Sequence, residues 1–151
     1  MDNPAVVAYK EKFPFYDIRE DPVTKAIYFQ HDESTTYTPE ELLAMILDYA
    51  KELAADFGEQ SIDAAVISVP PYFNQAERKA VLRAAELVNL KVLQLLNTNI
   101  AAGLNYGVFR RKDFNNTGTT LMFFDMESSG TTATVPTFQL IKNKDDYEAN
   151  P

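Results

Sequence analysis

The stretch FFDMESSGTTATV, residues 123–135, is the part of the sequence that decides the fold. An apolar run leads to Asp125, and a turn of small residues then leads into a second β-like run. A strand, an aspartate and such a turn can form a hairpin that wraps a phosphate chain, because bare backbone N–H groups approach the anion. Gly130 is the only glycine here, and Glu127 places a negative charge beside it. The residues alone leave three interpretations open: a phosphate-binding hairpin, a degenerate one, or an ordinary turn.

The length and composition of the chain are typical of one globular domain. The chain has 151 residues, of which 46% are hydrophobic and 24% are charged. A net charge of −8 argues against a nucleic-acid-binding face, since phosphates would be repelled. No run approaches the length that spans a membrane. Without cysteine and with a single histidine, His31, the chain has no disulfide, thiolate, histidine-triad or multi-histidine zinc site. We expect His31 to lie in a polar loop.

The first 38 residues are predicted to be β-rich. Residues 13–19 and 25–30 are aromatic and β-branched runs, and the turn-forming residues 20–24 separate them. Residues 35–38 add a short third strand. Both ends of the chain read as places where a longer chain was cut.

A long helix is predicted to begin at Thr38. This threonine can cap the helix, Pro39 suits its first position, and Glu41 completes a capping box. Apolar side chains then recur at steps of three and four residues as far as Gly58, where the helix is predicted to end. We expect this apolar stripe to be core. The stripe consists of Leu42, Leu43, Ile46, Tyr49, Ala50, Leu53 and Phe57.

The middle of the chain has the spacing of a βαβ unit. Residues 64–69 (AAVISV) form the continuous apolar run that is typical of a strand covered on both faces. A second capped helix is predicted over residues 75–88, a strand over residues 91–96 and a short helix over residues 100–106. This order implies a crossover connection between two parallel strands.

The last part of the chain is predicted to form the hairpin of the opening stretch. Residues 120–125 and 132–141 supply its strands, and Pro136 interrupts the second, which should therefore be an edge strand or carry a bulge. Residues 108–119 are predicted to form a polar loop with an exposed basic run at 110–112.

Three loops that follow predicted strands are candidates for a ligand site, because such sites gather at the carboxyl ends of strands in α/β sheets. These loops are residues 70–74, 97–99 and 126–131. Asp125 could bind magnesium directly or through water, or it merely ends its strand and bonds to the turn. No lysine-bearing phosphate loop of the form Gly-x-x-x-x-Gly-Lys occurs. The triplet that begins at Asn115 fits an N-glycosylation acceptor, which matters only in a secreted or lumenal protein.

Several of these motifs resemble one family. Residues 65–78 (AVISVPPYFNQAER) resemble the V-P-x-[YF]-F-[ND]-x-x-[QE]-R signature of the seventy-kilodalton heat-shock chaperones. Residues 90–97 are similar to the family's next strand, and residues 101–107 to its following helix. Residues 123–126 (FFDM) stand where the family has a strand that leads into Asp-Leu-Gly-Gly-Gly-Thr. Residues 106–113 (YGVFRRKD) are most similar to the large, hypoxia-up-regulated branch of the endoplasmic reticulum.

The resemblance implies an α/β fold, part of the actin-like, ribonuclease H-like ATPase domain with two lobes around a nucleotide cleft. Residues 1–38 would be a β-rich segment of the upper first lobe. Residues 39–119 would form the α/β base of that lobe. Residues 120–142 would begin the second lobe with its phosphate hairpin, and residues 143–151 would be a tail.

The resemblance also implies roles for individual residues. Asp125 would be the magnesium-linked aspartate, acting through water. Pro70 and Arg78 would relay the nucleotide state towards a substrate domain. Thr98 stands where the family has a nucleotide-sensing glutamate, and Asn99 where it has a proline.

The hairpin departs most from the family pattern. Glu127, Ser128 and Ser129 replace three glycines, and Gly130 replaces a threonine ahead of Thr131. A carboxylate that points at phosphate weakens binding, and side chains block the close approach of the backbone. The resemblance therefore favours a weakened phosphate hairpin, with no catalytic residue assigned and no ATPase activity expected from this chain.

The resemblance finally implies ligands, partners and location for the parent protein. ATP or ADP and magnesium would bind the parent, but none is expected to bind tightly to this chain. The parent would be a chaperone of the endoplasmic reticulum lumen that binds unfolded clients and promotes nucleotide exchange on a smaller heat-shock-type chaperone. The alternative is a degenerate interaction module that is not an ATPase and docks a chaperone partner. Self-association is expected as well, and nucleic-acid and membrane partners are not.

Overall fold

A computed structural model describes residues 3–127 and 130–141, and within these ranges the protein is a mixed α/β structure. The α/β class predicted from the sequence is therefore confirmed. Of the helices in this part of the chain, none combines the length and apolar content needed to cross a membrane.

The chain divides into two units. The first contains the residues up to 66 together with residues 73–94, and the second contains residues 67–72 together with the residues from 95 onward. The two long helices lie in the first unit, whereas the predicted phosphate hairpin lies in the second.

The first unit contains an antiparallel meander of three strands, β1 (Asp17–Glu20), β2 (Ile27–Gln30) and β3 (Thr36–Tyr37). The side chain of Asp21 accepts two backbone N–H bonds from the turn between β1 and β2, as aspartate does in turns. The three strands predicted in this segment are confirmed, and each is shorter than its aromatic run. His31 is exposed and directly follows β2.

A helix at the start of the chain, α1 (Pro4–Lys12), corrects the prediction of a purely β-rich segment. Asn3 accepts a hydrogen bond from the backbone N–H of Ala5 at 2.9 Å, and Pro4 occupies the first turn. The residues after this start signal have no helical repeat of apolar side chains, so the sequence pattern does not predict the helix.

Both long helices begin where the sequence predicts them. At the start of α2 (Pro39–Gly58), the N–H of Thr38 donates to Glu41 Oε2 at 2.7 Å and the N–H of Glu41 donates to Thr38 Oγ1 at 3.2 Å. Asn74 begins α3 (Gln75–Leu87) with the same reciprocal arrangement. Each capping box satisfies backbone donors that the helix itself cannot pair.

The two helices pack against each other, and the buried residues that they contribute are mostly small. Ala44 of α2 is 5% exposed, and Ala84 and Ala85 of α3 are fully buried. Lys51 of α2 donates from Nζ to the carbonyl of Val88, just after α3, at 3.0 Å. Small side chains let the helix axes approach closely, so this contact has little room for added volume.

The apolar stripe of α2 is not core, so that prediction is wrong. Ile46, Tyr49, Leu53 and Phe57 are 64%, 62%, 52% and 95% exposed. Their spacing places them on one face of the helix, whereas the buried Ala44 lies on another. Within the described residues, no element covers the stripe.

The predicted βαβ strands share one sheet. β4 (Ala64–Val69) and β5 (Lys91–Asn97) are hydrogen-bonded neighbours in a two-stranded sheet. The N–H of Lys91, the first residue of β5, donates to the carbonyl of Asp63, directly before β4, at 2.9 Å. Since the starts of the two strands adjoin, the strands run in the same direction, as predicted.

The sheet is covered less than the sequence predicts. Residues along β4 alternate between exposed and partly buried as far as Val69, which is buried, and Val66 is 53% exposed. Leu93 of β5 is 62% exposed. The prediction of a strand covered on both faces is therefore wrong, because the face of β4 that carries Ala64, Val66 and Ser68 is exposed to solvent.

From residue 98 onward, the second unit contains one helix followed by short strands. Helix α4 extends beyond the predicted helix at both ends, and a 3-10 turn at Arg111–Asp113 follows it. The elements are α4 (Thr98–Phe109), β6 (Thr119–Thr120), β7 (Phe123–Glu127), β8 (Gly130–Thr134) and β9 (Thr137–Phe138). β7 pairs with β8, and β6 pairs with β9, both antiparallel. The predicted hairpin around the opening stretch is confirmed.

Pro136 divides the predicted last strand into β8 and β9, which pair with different partners. Proline has no N–H to donate to a ladder, so the strand breaks at this residue. Its carbonyl still accepts a hydrogen bond from the N–H of Leu121 at 3.1 Å. The interruption predicted at Pro136 is a break between two strands.

An aromatic cluster fills the second unit. The ring of Phe138 stacks on Phe114 with centroids 4.7 Å apart, and it lies 6.1 Å from Tyr106 and 6.2 Å from Phe123. A Cβ atom added to Gly107 of α4 would lie 2.8 Å from the Phe138 ring. The cluster therefore approaches the helix where a glycine leaves space.

We expect the protein to self-associate because the stripe of α2 is exposed, and such patches favour association. Ile46→Lys together with Leu53→Lys should lower the concentration-dependent mass measured by light scattering, since lysine interrupts the apolar patch. Val23→Lys, at an exposed position in a turn, is the control. A monodisperse monomer of the unaltered chain with a sharp melt at high temperature would contradict this expectation.

Candidate functional site

The hairpin β7–β8 supplies the residues of the opening stretch. In its register, Asp125 lies opposite Thr132, and Glu127 lies opposite Gly130. Ser128 and Ser129, which replace glycines in the predicted weakened phosphate hairpin, lie outside the described residues. The hairpin thus places Glu127 and Gly130 at its tip.

Asp125 lies within β7 and not at its end, because the ladder continues through Met126 to Glu127. The expectation that Asp125 closes its strand is therefore wrong. Its side chain is exposed. Among the described residues, no group of three or more acidic or histidine side chains has an arrangement that could hold a metal ion.

A cavity of about 120 Å³ in the second unit brings together parts of the three loops that follow predicted strands. Its wall contains Pro70, Pro71, Tyr72, Thr98, Glu127, Gly130, Thr131 and Thr132. Sites for drug-sized ligands and cofactors generally measure about 300–1,000 Å³. This cavity is large enough for a phosphate-sized group and too small for a nucleotide.

The charge of the cavity wall does not favour an anion. Among the described residues that line the cavity, Glu127 is the only carboxylate and there is no lysine or arginine. Thr98, Thr131 and Thr132 contribute hydroxyl groups, which are neutral donors. The Glu127 carboxylate repels a phosphate and makes the binding free energy of the phosphate less favourable. Hydrogen bonds from the threonine hydroxyl groups would have to offset this repulsion.

One contact at this site was not predicted. Asn99 donates from Nδ2 to Thr134 Oγ1 at 3.1 Å, and this bond joins the first turn of α4 to β8. The Oδ1 atom of Asn99 accepts from the N–H of Ile100 at 3.0 Å. A proline at position 99 would have neither side-chain group. The replacement of the family's proline was visible in the sequence, but the partner strand was not.

The residues expected to relay nucleotide state fall in different units. Pro70 lines the cavity of the second unit. Arg78 lies on α3 in the first unit, where its Nε donates to the carbonyl of Phe73 at 3.0 Å. Thr98 is the first residue of α4 and lines the same cavity as Pro70.

The loop after α4 carries the predicted glycosylation and basic residues. Asn115 is exposed, and its Oδ1 accepts hydrogen bonds from the N–H and the hydroxyl of Thr117. Arg110, Arg111 and Lys112 are exposed, as predicted. The Arg110 guanidinium lies 4.8 Å from the centre of the Tyr106 ring, a cation–π contact that holds it at the surface of its own unit.

The helices, the sheets and the β7–β8 hairpin define a mixed α/β protein. A profile described as Hsp70 protein matches residues 1–140. The chain belongs to the Hsp70 family.

Curated relatives of the chain within that family share one name. Hypoxia up-regulated protein 1 of Danio rerio is 56% identical over 144 residues, which cover 95% of this chain and 15% of the relative. The proteins of the same name from Xenopus laevis and Homo sapiens are 52% and 50% identical, over 96% and 95% of this chain and 22% and 14% of the relatives. The match to the hypoxia up-regulated branch agrees with the resemblance of residues 106–113. The chain spans less than a quarter of the length of these relatives.

Proposed function

We propose that the chain is part of the nucleotide-binding domain of a large Hsp70-type chaperone of the endoplasmic reticulum. In this proposal the parent binds unfolded clients, responds to stress and promotes nucleotide exchange on a smaller chaperone. Residues 1–38 and 39–119 are the upper part and base of one actin-like lobe, and residues 120–142 begin the second. Asn115 is a candidate glycan acceptor in that lumen.

The observation that carries the proposal is the small cavity in which Thr98 and the hairpin residues meet. The family similarity covers this region, and we propose that the hairpin takes the place of the family's phosphate loop. The residues that line this cavity determine which ligands the hairpin can bind. Glu127 opposes an anion, and about 120 Å³ accommodates one phosphate group at most. We therefore propose a phosphate hairpin of the Hsp70 type that has lost most of its affinity, with Asp125 as its only candidate magnesium contact.

We expect residues 1–151 to show no specific binding of magnesium-ATP and no ATP hydrolysis. Charge-assisted hydrogen bonds contribute about 1.5–3 kcal/mol each. Losing several of them moves a micromolar affinity to millimolar or weaker, since about 1.4 kcal/mol is a factor of ten. Isothermal titration with magnesium-ATP measures this, and a labelled-phosphate release assay measures hydrolysis. A saturable micromolar isotherm that Asp125→Ala abolishes would overturn the expectation.

A variant with glycines restored in the turn tests whether the side chains of the hairpin alone cause the weak binding of nucleotide. Glu127→Gly, Ser128→Gly and Ser129→Gly together remove the carboxylate and the side chains from the turn. We expect this triple variant to recover little affinity, because no lysine-bearing phosphate loop occurs in the sequence and the cavity of about 120 Å³ is too small for a nucleotide. Recovery to micromolar affinity would show that the hairpin alone limits binding.

A second candidate function is an interaction module that docks a chaperone partner without using nucleotide. The observation that favours it is the carboxylate of Glu127 in the cavity wall, which disfavours phosphate while leaving the rest of the fold intact. A filter-binding assay with labelled ATP and a binding titration with a smaller Hsp70-type chaperone separate the two. Partner binding that does not change with ATP would support the module.

A further inference from the structure

A recess in the first unit is lined mainly by aromatic side chains. Its volume is about 570 Å³, which is within the range of pockets for small molecules. None of the residues that line it also lines the hairpin cavity, so it is not part of the proposed phosphate site. We call it the aromatic recess, and its rings are Tyr9, Phe15, Tyr16, Phe29 and Tyr37.

These rings come from two parts of the first unit. Tyr9 belongs to α1, and Phe15 and Tyr16 follow this helix. Phe29 of β2 and Tyr37 of β3 are direct partners in the antiparallel ladder, so their side chains share one face of the meander. The recess is therefore lined by rings from the start of the chain and by rings from the meander.

Contacts between the rings hold the first of these groups in place. The centroids of Phe15 and Tyr16 lie 4.7 Å apart, and those of Tyr9 and Tyr16 lie 6.4 Å apart. The ring of Phe13 lies 4.8 Å from Tyr9 and 6.2 Å from Tyr16. Rings that are already ordered lower the entropic cost of binding a ligand.

The rings remain accessible to a ligand, since Phe15 is 72% exposed, Tyr16 48% and Tyr9 41%. The face of an aromatic ring is the negative part of its quadrupole, so it attracts a cation that lies within about 6 Å of the ring centre. A quaternary ammonium group has methyl groups around its positive charge. It therefore gains both apolar burial and cation–π attraction against such rings.

The charge of the aromatic recess also favours a cation. Among the described residues that line it, Asp17 is the only carboxylate and there is no lysine or arginine. The side-chain hydrogen bond from Arg19 lowers the pKa of Asp17, so this carboxyl group is ionised at neutral pH. Residues 3–42 carry eight carboxylates and four lysine or arginine side chains, so the segment stays negative when Arg19 is counted.

Arg19 also orients the Asp17 carboxylate. Its Nε and Nη2 atoms both donate to Oδ2 of Asp17, at 3.0 and 2.7 Å. Within the described part of the chain, Oδ1 of Asp17 accepts no hydrogen bond. One carboxylate oxygen is thus held by the guanidinium, and the other is available to a ligand.

We propose that the aromatic recess binds a small organic cation of the choline type, which carries a quaternary ammonium group. The trimethylammonium group lies against the rings of Phe15 and Tyr16, and the carboxylate of Asp17 faces its charge. The rings supply apolar burial and cation–π attraction, and the carboxylate supplies charge complementarity. This site goes beyond the nucleotide function, and its binding is independent of magnesium-ATP.

The test compares ligands by NMR titration with residues 1–151. The first ligand is choline, and the second is the neutral alcohol of the same shape in which carbon replaces the choline nitrogen. We expect saturable binding of choline and at least about tenfold weaker binding of the neutral alcohol, because only the cation gains cation–π and charge attraction. A peptide with one trimethyl-lysine is the third ligand, and we expect it to bind no more tightly than choline.

A ring variant locates the binding in the aromatic recess. Tyr16→Leu keeps an apolar side chain but removes the ring, so it should weaken choline binding by at least about threefold and leave binding of the neutral alcohol nearly unchanged. Phe109→Leu is the matched control, because Phe109 is 82% exposed and belongs to the second unit. Circular dichroism confirms that each variant is folded.

A charge variant tests the carboxylate separately. Asp17→Asn together with Arg19→Gln removes the ion pair without changing the net charge of the chain. We expect this double variant to weaken choline binding by at least about threefold, with no such loss for the neutral alcohol. Asp56→Asn is the control, because Asp56 is exposed on α2 and does not line the recess.

Four results would overturn the proposal. They are absence of saturable choline binding, equal affinity for choline and the neutral alcohol, equal losses in Tyr16→Leu and Phe109→Leu, and at least tenfold tighter binding of the trimethyl-lysine peptide than of choline. The nucleotide titration is a separate measurement on a different unit, so failure here leaves the proposed function of the hairpin untouched.

Discussion

Ala84→Leu is expected to lower the melting temperature of the first unit by on the order of 10 °C, because it adds volume where α2 and α3 pack closely. Ala84 and Ala85 are fully buried, with 0% of their surface exposed, and Ala44 on the facing helix is 5% exposed. A larger side chain at a filled contact costs about 1–3 kcal/mol in displaced neighbours. Thermal unfolding followed by circular dichroism measures the change.

Ala54→Leu is the matched control for this effect. Ala54 lies on α2 and is exposed, so the same change in size meets solvent. Alanine and leucine have similar helix propensities, so the control should change the free energy of unfolding by only a few tenths of a kcal/mol. Equal melting temperatures for the two variants would show that the helices do not pack through their alanines.

Alanine substitutions at Gly103 and Gly107 of α4 are expected to have opposite effects. A Cβ at Gly107 would lie 2.8 Å from one atom of the Phe138 ring, closer than such atoms approach in folded proteins, and 3.1 Å from a second ring atom, which is a tight contact. The ring stacks on Phe114 and has little freedom to move aside. The clash costs about 1–3 kcal/mol. The gain in helix propensity is about 1 kcal/mol, so Gly107→Ala should be destabilising.

Gly103→Ala should instead stabilise the helix. Its Cβ would meet ring and proline atoms at 3.8–3.9 Å, which is ordinary van der Waals contact. The propensity gain of up to about 1 kcal/mol then has no steric cost to offset it. Hydrogen exchange of the α4 amides measures both variants in one experiment. A shift in the same direction for both would contradict the close contact between Gly107 and Phe138.

Local signals account for most of the secondary structure that the sequence predicted. The capping boxes of α2 and α3 involve residues three positions apart, so their hydrogen bonds form wherever the helix forms. The break at Pro136 follows from a missing N–H. The helix α1 also begins with a local signal at Asn3, but without an apolar period that signal is too weak to predict a helix.

The position of the candidate site was also readable from the sequence, but its geometry was not. Loops after predicted strands contain Pro70, Thr98 and Thr131, and these residues line one cavity. Whether a side chain ends a strand depends on the partner strand, however, and pairing with β8 places Asp125 inside β7. The bond from Asn99 to Thr134 joins residues that are far apart in the chain, so no local pattern could predict it.

The sequence by itself determined the family, the class of fold and where most of the helices and strands lie, because these depend on composition, on motifs and on interactions within a few residues. Only the tertiary structure decided which apolar residues are core. The stripe with Ile46 and Phe57 has the period of a buried face, yet it is exposed, because burial requires a second surface and the described residues supply none. The alanines around Ala84 are buried because another helix packs there. Periodicity shows that a face is apolar, and only the neighbouring elements determine whether water reaches it.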